Sequence, residues 1–302
     1  NSVAGQNSGG NVRHVQGSHI VVPKLFDHPQ SYIFQNPDGR IIFAIPYEQD
    51  FTLIGTTDQD YVGELDKIAI TTDEIDYLCT SLNSYFNIGI TVDDIIWSYS
   101  AVRPLYDDGS DKAQEATRDY TIRTDGHSDQ PKLISIFGGK ITTYRRLALE
   151  VLDRVNDVFG RHEESWTETA PLPGGDFGTN DFEKELTRLR ERYAFLDGKT
   201  AYRLLRSYGT NAFSILCGAI AKQDLGKDFG AGLSEREVEY LRRTEWAETV
   251  DDIIWRRSKL GLRLTPEEQR RLGDWLLENP FEVSAVTVQS ITLQTAPTPQ
   301  ET

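Results

Sequence analysis

The sequence predicts an α+β protein: a mixed, largely antiparallel sheet with added helices, followed by an all-α domain. Short runs rich in β-branched and aromatic residues dominate up to about residue 125. A segment with two prolines and three glycines, ETAPLPGGDFG at 168–178, is typical of a linker. Beyond it, apolar residues recur at helical spacing. Strands joined mostly as hairpins, without a repeated strand–helix–strand order, favour the α+β class.

The first domain is expected over 17–167, after a flexible lead-in over 1–16. Its predicted strands are HIVVP, SYIF, IIFAIPY, FTLIGTT, IIWSYSAV and DYTIRT, with NPDG at 36–39 as a hairpin turn. One helix interrupts them, because Thr71 and Glu74 have capping-box spacing and apolar residues then recur every three or four positions. PKLISIFGG is predicted to be a last, buried strand, and ITTYRRLALEVLDRVNDVFG the helix after it.

The second domain, over 179–285, is predicted to be helical throughout. Its segments are DFEKELTRLRERYAFL, AYRLLRSYG, SEREVEYLRRTEWAETVDDIIWRRSK and TPEEQRRLGDWLLEN. Ser234 with Glu237 and Thr265 with Glu268 repeat the capping-box spacing. The tryptophans at apolar helical positions are expected in its core: Trp246, Trp255 and Trp275. The stretch 286–302 lacks caps and a charge pattern, so we expect a disordered tail.

The net charge of −15 over 302 residues argues against nucleic acid as a partner, since binding phosphates needs a basic face. Cys79 and Cys217 lie far apart and fit neither a disulfide framework nor a metal pattern, so we expect buried free thiols and no metal. The chain has no run of eighteen apolar residues and no signal peptide, which favours a soluble, cytosol-facing protein. It contains no methionine, and we therefore expect a piece of a longer chain.

The stretch FGGKITT combines features of an anion site. A strand that delivers Gly138 and Gly139 into a helix N-terminus exposes backbone N–H groups, and Lys140 adds a full positive charge. It is not a nucleotide P-loop, because Ile134 and Ile141 stand where that motif needs glycine and serine or threonine. The alternative is a tight strand-to-helix turn with a solvated lysine.

Three other residues could complete such a pocket. Arg103 ends a strand-like run before Pro104, where a guanidinium can hold a phosphate or carboxylate. The alternative for it is an ion pair with one of the nearby acids Asp107, Asp108 and Asp111. Arg118 starts the next strand, and His19 starts a strand expected to be buried, where a lone histidine is usually structural. If they converge with Lys140, they form a positive pocket that selects a small dianion.

Several motifs together resemble those of the FAD-dependent, quinone-linked glycerol-3-phosphate dehydrogenases. They are GSHIVVP, IGTTD, SYSAVRPL, TRDY and FGGKITTYR, continued by LPGG, SYGTNAFSIL, DLGKDFG and WRRSKLGL. The family's N-terminal dinucleotide-binding fingerprint is not present in this sequence. The resemblance therefore implies the substrate-domain portion of a FAD-dependent oxidoreductase and its C-terminal cap domain.

For FAD, the resemblance implies that Gly138 and Gly139 lie against the flavin ring, with Lys140, Ile141 and Thr142 also in contact with the cofactor. Backbone N–H groups there could stabilise negative charge that builds on the ring. Thr142 and Thr143 could bind flavin or cap the helix, and we expect at least one of them to cap it.

For the substrate, the resemblance implies that Arg103 orients it beside the flavin and that Arg118 and Lys140 add charge for its phosphate. His19 becomes the candidate base for the reacting hydroxyl. Arg103, His19 and Lys140 are thus the expected catalytic residues.

The implied reaction oxidises sn-glycerol 3-phosphate to dihydroxyacetone phosphate, with FAD as hydride acceptor and a quinone as electron acceptor. The resemblance also implies peripheral attachment to the cytoplasmic face of the inner membrane, and a homodimer is a further expectation. We expect this chain to be inactive by itself, since the segment that holds the FAD adenosine is missing from it. Two alternatives stay open: a non-catalytic module that binds a phosphorylated metabolite, and an oligomerisation domain.

Overall fold

The computed structural model describes residues 12–107, 118–126, 131–161 and 164–280. The chain divides into two compact units, Asn1–Ala170 and Pro171–Thr302. The division falls inside the segment that we predicted to be a linker, 168–178.

The first unit is built on a six-stranded sheet whose central strand is β1. Its strands are β1 Val12–Pro23, β2 Tyr32–Gln35, β3 Ile41–Tyr47, β4 Phe51–Gly55, β5 Gln59–Asp60 and β6 Trp97–Tyr106. One edge of β1 pairs with β4 and then β5, and the other edge pairs with β6 along ten residues. β2 and β3 continue the sheet beyond β4. The predicted hairpin at 36–39 is confirmed, with Gly39 at φ +83° closing the turn between β2 and β3.

Two sequence predictions about this sheet are wrong. The lead-in is too long, because β1 begins at Val12 and Val15 is already fully buried; residues 1–11 lie outside the described part. Arg103 does not stand at the end of a strand, because β6 continues through Pro104 to Tyr106. Among the described pairings, β6 hydrogen-bonds only to β1, and a proline is tolerated on such an edge strand.

Helix α1, Thr72–Asn83, covers one face of the sheet and confirms the predicted helix. Thr71 and Glu74 make the expected reciprocal capping box. The apolar side of the helix packs on alternate residues of the strands to form the core of this unit: Ile20, Val22, Ile42, Ala44, Ile54, Leu78, Cys79, Leu82 and Ile90.

A second, two-stranded sheet follows, formed by β7 Thr121–Asp125 and β8 Leu133–Phe137. We predicted β8 to be a buried strand, but none of its residues is buried, since it pairs only with β7 among the described strands. All described pairings are antiparallel, so the predicted mixed sheet is not observed in this part of the chain. Helix α2, Tyr144–Phe159, comes next and also has no buried residue.

The second unit is mainly helical. Its helices are α3 Phe182–Arg192, α4 Gly198–Tyr208, α5 Asn211–Ile215, α6 Glu235–Thr244 and α7 Pro266–Glu278, with a π-helical stretch at Asp252–Arg257. Their apolar sides share one core, which includes Leu189, Leu205, Phe229, Leu241, Ile253, Leu272 and Trp275. The domain is not all-α, because Asp228–Gly230 and Leu233–Ser234 pair as a short hairpin, β9 and β10.

The helix predicted over 234–259 is interrupted. Trp246 takes a left-handed φ of +51° after α6 ends, and its side chain is 84% exposed instead of lying in the core. Trp275 is buried, as predicted, and Trp255 packs against the core. The capping box of Thr265 and Glu268 is complete. At Ser234, the serine hydroxyl accepts from the backbone N–H of Glu237, but the Glu237 side chain does not return a bond to the backbone of Ser234. The Glu237 carboxylate instead binds Arg203 and Tyr208.

Other predictions meet the structure only in part. Cys79 is buried, whereas Cys217 is exposed, which the sequence did not predict. Within the described ranges, no helix is long and apolar enough to cross a bilayer. The predicted tail at 286–302 lies outside the residues that the structure describes.

Candidate active site

The candidate site lies on the face of the sheet opposite α1. Side chains alternate along a strand, so Ser18 faces α1 while Gly17 and His19 face the other way. Their partners on β6 follow the same alternation: Ala101 lies beside Gly17 and Tyr99 beside His19. This pairing brings His19 and Arg103 to one face of the sheet.

Asp58 holds two of the predicted arginines. Nη1 of Arg103 donates to Oδ1 of Asp58 at 2.7 Å, and Nη2 of Arg118 donates to Oδ2 at 3.1 Å. Nη2 of Arg103 also donates to the hydroxyl of Thr56 at 3.2 Å. The Asp58 side chain is 15% exposed, whereas both guanidinium groups keep substantial access to solvent. The arginines therefore converge, and together with Asp58 they carry a net charge of +1.

Two glycines create the space for this cluster. A Cβ atom on Gly17 would lie 2.5 Å from Nη1 of Arg103, and one on Gly55 would lie 2.2 Å from Cδ2 of His19. Both distances are shorter than side chains tolerate, so Arg103 and His19 can lie flat on the sheet only because these positions lack side chains.

His19 is a neutral imidazole in a partly buried position. Burial and, secondarily, the positive charge of Arg103 lower its pKa from 6.5 to about 4. The ring stacks on Tyr99 with centroids 4.9 Å apart, and burial raises the pKa of that phenol. Nδ1 of His19 is buried and has no hydrogen-bond partner. A neutral histidine next to an arginine can accept a proton from a bound molecule.

The Gly138–Gly139 turn lies beside the segment that carries Arg118. Both glycines have left-handed φ angles, +69° and +98°. A Cβ on Gly138 would lie 3.1 Å from the carbonyl oxygen of Asp119, and one on Gly139 would lie 3.2 Å from Cβ of Tyr120. The turn therefore needs glycine for its backbone angles and for its close approach to residues 119–120.

The helix does not begin directly after this turn. Ile141–Thr143 form a 3-10 turn, and α2 starts at Tyr144. The Thr143 hydroxyl donates to the carbonyl oxygen of Lys140 at 2.9 Å and accepts no hydrogen bond from a backbone N–H group of α2. We had expected a threonine cap at this helix, and Thr143 does not provide it. The turn after the glycines is thus a short 3-10 turn and not the first turn of a long helix.

Lys140, Ile141 and Thr142 are all exposed, Ile141 to 86%. Within the described part of the chain, the Lys140 ammonium makes no hydrogen bond or ion pair. The structure therefore brings together His19, Arg103 and Arg118, whereas Lys140, which follows the glycine turn, makes no contact with them.

The residues that organise the cluster were not predicted from the sequence. We weighed Asp107, Asp108 and Asp111 as partners of Arg103. Asp108 and Asp111 lie outside the described residues, and the described carboxylate partner of Arg103 is Asp58, 45 residues away. Asp58 ends the motif IGTTD, which we used only for the resemblance. Its position directly after a strand was the available signal, since strand ends commonly carry functional side chains. Among the described residues, no group of three or more His, Cys, Asp and Glu side chains could hold a metal ion.

Two family models match the chain. One, described as FAD dependent oxidoreductase, matches residues 2–145. The other, described as the C-terminal domain of alpha-glycerophosphate oxidase, matches residues 165–271.

Several known proteins are similar in sequence. Glycerol-3-phosphate dehydrogenase of Pseudomonas aeruginosa is 47% identical over 88% of this chain and 52% of its own length. Aerobic glycerol-3-phosphate dehydrogenase of Escherichia coli is 42% identical over 88% of this chain and 53% of its own length. D-erythritol 1-phosphate dehydrogenase of Brucella abortus is 41% identical over 91% of this chain and 54% of its own length. The chain thus spans about half the length of these relatives.

The solved structure of the glycerol-3-phosphate dehydrogenase from Bacillus halodurans complexed with FAD is similar in fold. The TM-score is 0.70 at 26% identity, over 91% of this chain and 60% of that one. The similarity therefore extends through both units of the chain.

Proposed function

Because this chain belongs to the FAD-dependent glycerol-3-phosphate dehydrogenase family, we propose that it forms the substrate-binding portion of an enzyme that oxidises sn-glycerol 3-phosphate to dihydroxyacetone phosphate. The family is named for FAD, which is its cofactor. The chain spans 52% of its Pseudomonas relative, and on that ground we propose that a flavin-binding segment completes the enzyme and that this chain alone is inactive.

The observation that carries the proposal is that Arg103 and Arg118 both donate hydrogen bonds to the carboxylate of Asp58. In a protein with a net charge of −15, this pair concentrates positive charge on one sheet face. Planar guanidinium groups bind phosphate oxygens bidentately, and each charge-assisted hydrogen bond is stronger than a neutral one. A phosphate dianion bound there would neutralise the surplus charge, and Lys140 would supply a further cation to it.

The residues near the glycine turn fit a flavin. The turn has two residues without side chains, and Ile141 next to it offers an exposed apolar surface. Gly138, Gly139, Lys140, Ile141 and Thr142 would hold the cofactor, with Lys140 favouring negative charge on it. When bound, FAD supplies the acceptor for the hydride that leaves C2 of the substrate.

The other steps belong to residues of this chain. Arg103 and Arg118 bind the phosphate and orient the carbon skeleton. The imidazole of His19 accepts the proton of the C2 hydroxyl, and we assign this to Nε2, because Nδ1 is enclosed by the protein. A pKa of about 4 makes His19 a weak base in the free protein. Since the charge of Arg103 contributes to that low pKa, phosphate bound to Arg103 would raise it towards neutrality.

The proposal extends to electron delivery to a quinone by a homodimeric enzyme that attaches peripherally to the cytoplasmic face of the inner membrane. What supports this extension is the resemblance of the sequence motifs to the quinone-linked enzymes.

A second substrate is favoured by one observation. The relative named for D-erythritol 1-phosphate is 41% identical, nearly as similar as the relative from Escherichia coli. The two candidate substrates have a phosphate in common and differ in the length of the polyol. The arginine cluster would bind the phosphate of either molecule in the same way.

The test uses the full-length protein that contains this chain, mixed anaerobically with glycerol 3-phosphate or D-erythritol 1-phosphate while flavin absorbance is followed. We expect glycerol 3-phosphate to bleach the flavin faster, and Arg103→Ala and Arg118→Ala to slow the bleaching strongly. Arg188→Ala is the matched control, because Arg188 is an exposed arginine that also pairs with a less exposed carboxylate, Glu185, but in the helical unit. Binding of glycerol 3-phosphate without flavin would support a binding module instead, and binding of neither would favour an oligomerisation domain.

A further inference from the structure

We propose that Glu74 is a positioning residue. From the opposite face of the sheet, its carboxylate holds in place the two backbone segments that carry the candidate active site, 17–19 and 56–58. The inference deepens the proposed function and rests on it for its meaning. Glu74 lies on α1, on the opposite face of the sheet from Arg103 and His19, and it is 1% exposed.

The Glu74 carboxylate collects hydrogen bonds from three parts of the chain. Oε1 accepts from the hydroxyls of Ser18 at 2.8 Å and Thr57 at 2.6 Å. Oε2 accepts from the side-chain amide of Gln16 at 3.1 Å, and from the backbone N–H and hydroxyl of Thr71 at 2.9 and 3.2 Å. Glu74 makes no ion pair with any described residue. Capping α1 therefore uses only one of its two oxygens.

The two hydroxyl donors on Oε1 stand in the middle of the two site segments. Ser18 lies between Gly17, under the Arg103 guanidinium, and His19. Thr57 lies between Thr56 and Asp58, which both bind Arg103. The hydroxyls of Ser18 and Thr57 both point to Glu74, whereas the residues on either side of them face the site. One carboxylate therefore fixes the position of both backbone segments, 17–19 and 56–58.

A chain of hydrogen bonds connects the segments to each other as well. The backbone N–H of Ser18 donates to the Thr57 hydroxyl at 2.9 Å, which in turn donates to Glu74. The Ser18 hydroxyl also contacts the Ser100 hydroxyl on β6 at 2.8 Å, close to Tyr99, on which His19 stacks. Since a buried network of this kind is costly when any member lacks its partner, it holds one arrangement of the strands.

An amide cannot replace the carboxylate fully. At the position of Oε2, the amide nitrogen of Glu74→Gln would face the backbone N–H of Thr71, which cannot reverse. It would also face the side-chain amide of Gln16, which could reverse only by losing its hydrogen bond to the carbonyl oxygen of Ala69. At the position of Oε1, it would face the hydroxyls of Ser18 and Thr57, which would have to reverse and find other acceptors. With the amide nitrogen at the position of Oε1, both site segments lose their common acceptor. With the nitrogen at the position of Oε2, the N-terminus of α1 and Gln16, next to the first site segment, lose theirs. Small displacements of positioned groups reduce catalysis greatly.

The first test needs no catalysis. The pKa of His19 is measured by NMR in this chain and in its Glu74→Gln variant, because that pKa reports burial of the ring and its distance from Arg103. Among the described residues, Tyr99 stacks on His19, and Asp58, which also binds Arg118, pairs with Arg103. We expect the pKa to rise from about 4 by about one unit or more in the variant. Glu237→Gln is the matched control, a buried carboxylate in the other unit whose loss should leave the His19 pKa unchanged.

The second test uses the full-length enzyme. We expect Glu74→Gln to raise KM for glycerol 3-phosphate about tenfold and to lower kcat as well, whereas Glu237→Gln should leave both near the parent values. If Glu74→Gln does not fold, Ser18→Ala and Thr57→Val each remove one donor with little change in volume, and each should move the pKa and KM in the same direction. A folded Glu74 variant with an unchanged His19 pKa and unchanged KM would overturn the proposal. If the parent does not oxidise the substrate but the pKa still moves, the proposed function fails while the positioning role stands.

Discussion

Acid should destabilise the sheet unit through His19 before it protonates the paired carboxylates. Folding lowers the His19 pKa from 6.5 to about 4, so between these values the unfolded chain binds a proton that the folded chain does not. The stability that this residue contributes is therefore complete above pH 6.5 and is lost as pH falls towards 4. At about 1.4 kcal/mol for each pKa unit, the full loss is about 3 kcal/mol.

The assay is urea denaturation between pH 7 and pH 4, followed at amide signals of β1 so that the sheet unit alone is measured. We expect the free energy of unfolding to fall by about 3 kcal/mol more in the parent than in His19→Gln, which has no titrating ring. Carboxylates with lowered pKa values, such as that of Asp60 beside Arg13, lose their contribution mainly below this window. Equal losses in parent and variant would refute the account of His19 as a neutral, desolvated imidazole.

Three further substitutions test other parts of the structure. Gly17→Ala should weaken binding of glycerol 3-phosphate about tenfold in titration calorimetry, because the new Cβ would displace the Arg103 guanidinium from Asp58 and remove a charge-assisted hydrogen bond; unchanged affinity would contradict the role of Arg103. Leu78→Ala should lower the free energy of unfolding of the sheet unit by about 2–5 kcal/mol in urea, since Leu78 on α1 is fully buried against the sheet. Tyr208→Phe should lower the free energy of unfolding of the helical unit by about 1 kcal/mol, because Glu237 loses one hydrogen-bond donor but keeps Arg203. A loss as large as that expected for Leu78→Ala would show that the Tyr208 hydroxyl contributes more than this one hydrogen bond.

Local patterns predicted local structure well. The capping box of Thr71 and Glu74 and the turn at 36–39 depend on residues within four positions of each other, and both are confirmed. Trp246 shows the limit of this reasoning. Its spacing fits a helical apolar face, but the helix ends two residues earlier and a left-handed residue turns the ring into solvent.

Three members of the arginine–histidine cluster could be chosen from the sequence, but the contacts that connect them could not. His19, Arg103 and Arg118 were singled out from the sequence and they converge. Their common partner Asp58 and the support from Glu74 depend on strand pairing between distant segments, which no spacing in the sequence reveals. Glu74 was recognised only as a capping residue, because a cap is a local pattern and a buried network is not.

The site combines elements of unequal local stability. His19 lies on β1 and Asp58 follows β4, two strands that contribute to the core under α1, and Arg103 lies on β6, which pairs with β1. The Gly138–Gly139 turn instead joins β8 to α2, neither of which has a buried residue. Segments with little buried apolar surface open at lower free energy, so amides of β8 and α2 should exchange their hydrogens with solvent well before those of β1. A ligand that contacts both β1 and the Gly138–Gly139 turn would restrict the motion of β8 and α2. Part of its binding free energy would then appear as slower hydrogen exchange in β8 and α2. Under the proposed function, affinity for such a ligand would be coupled to the local stability of α2.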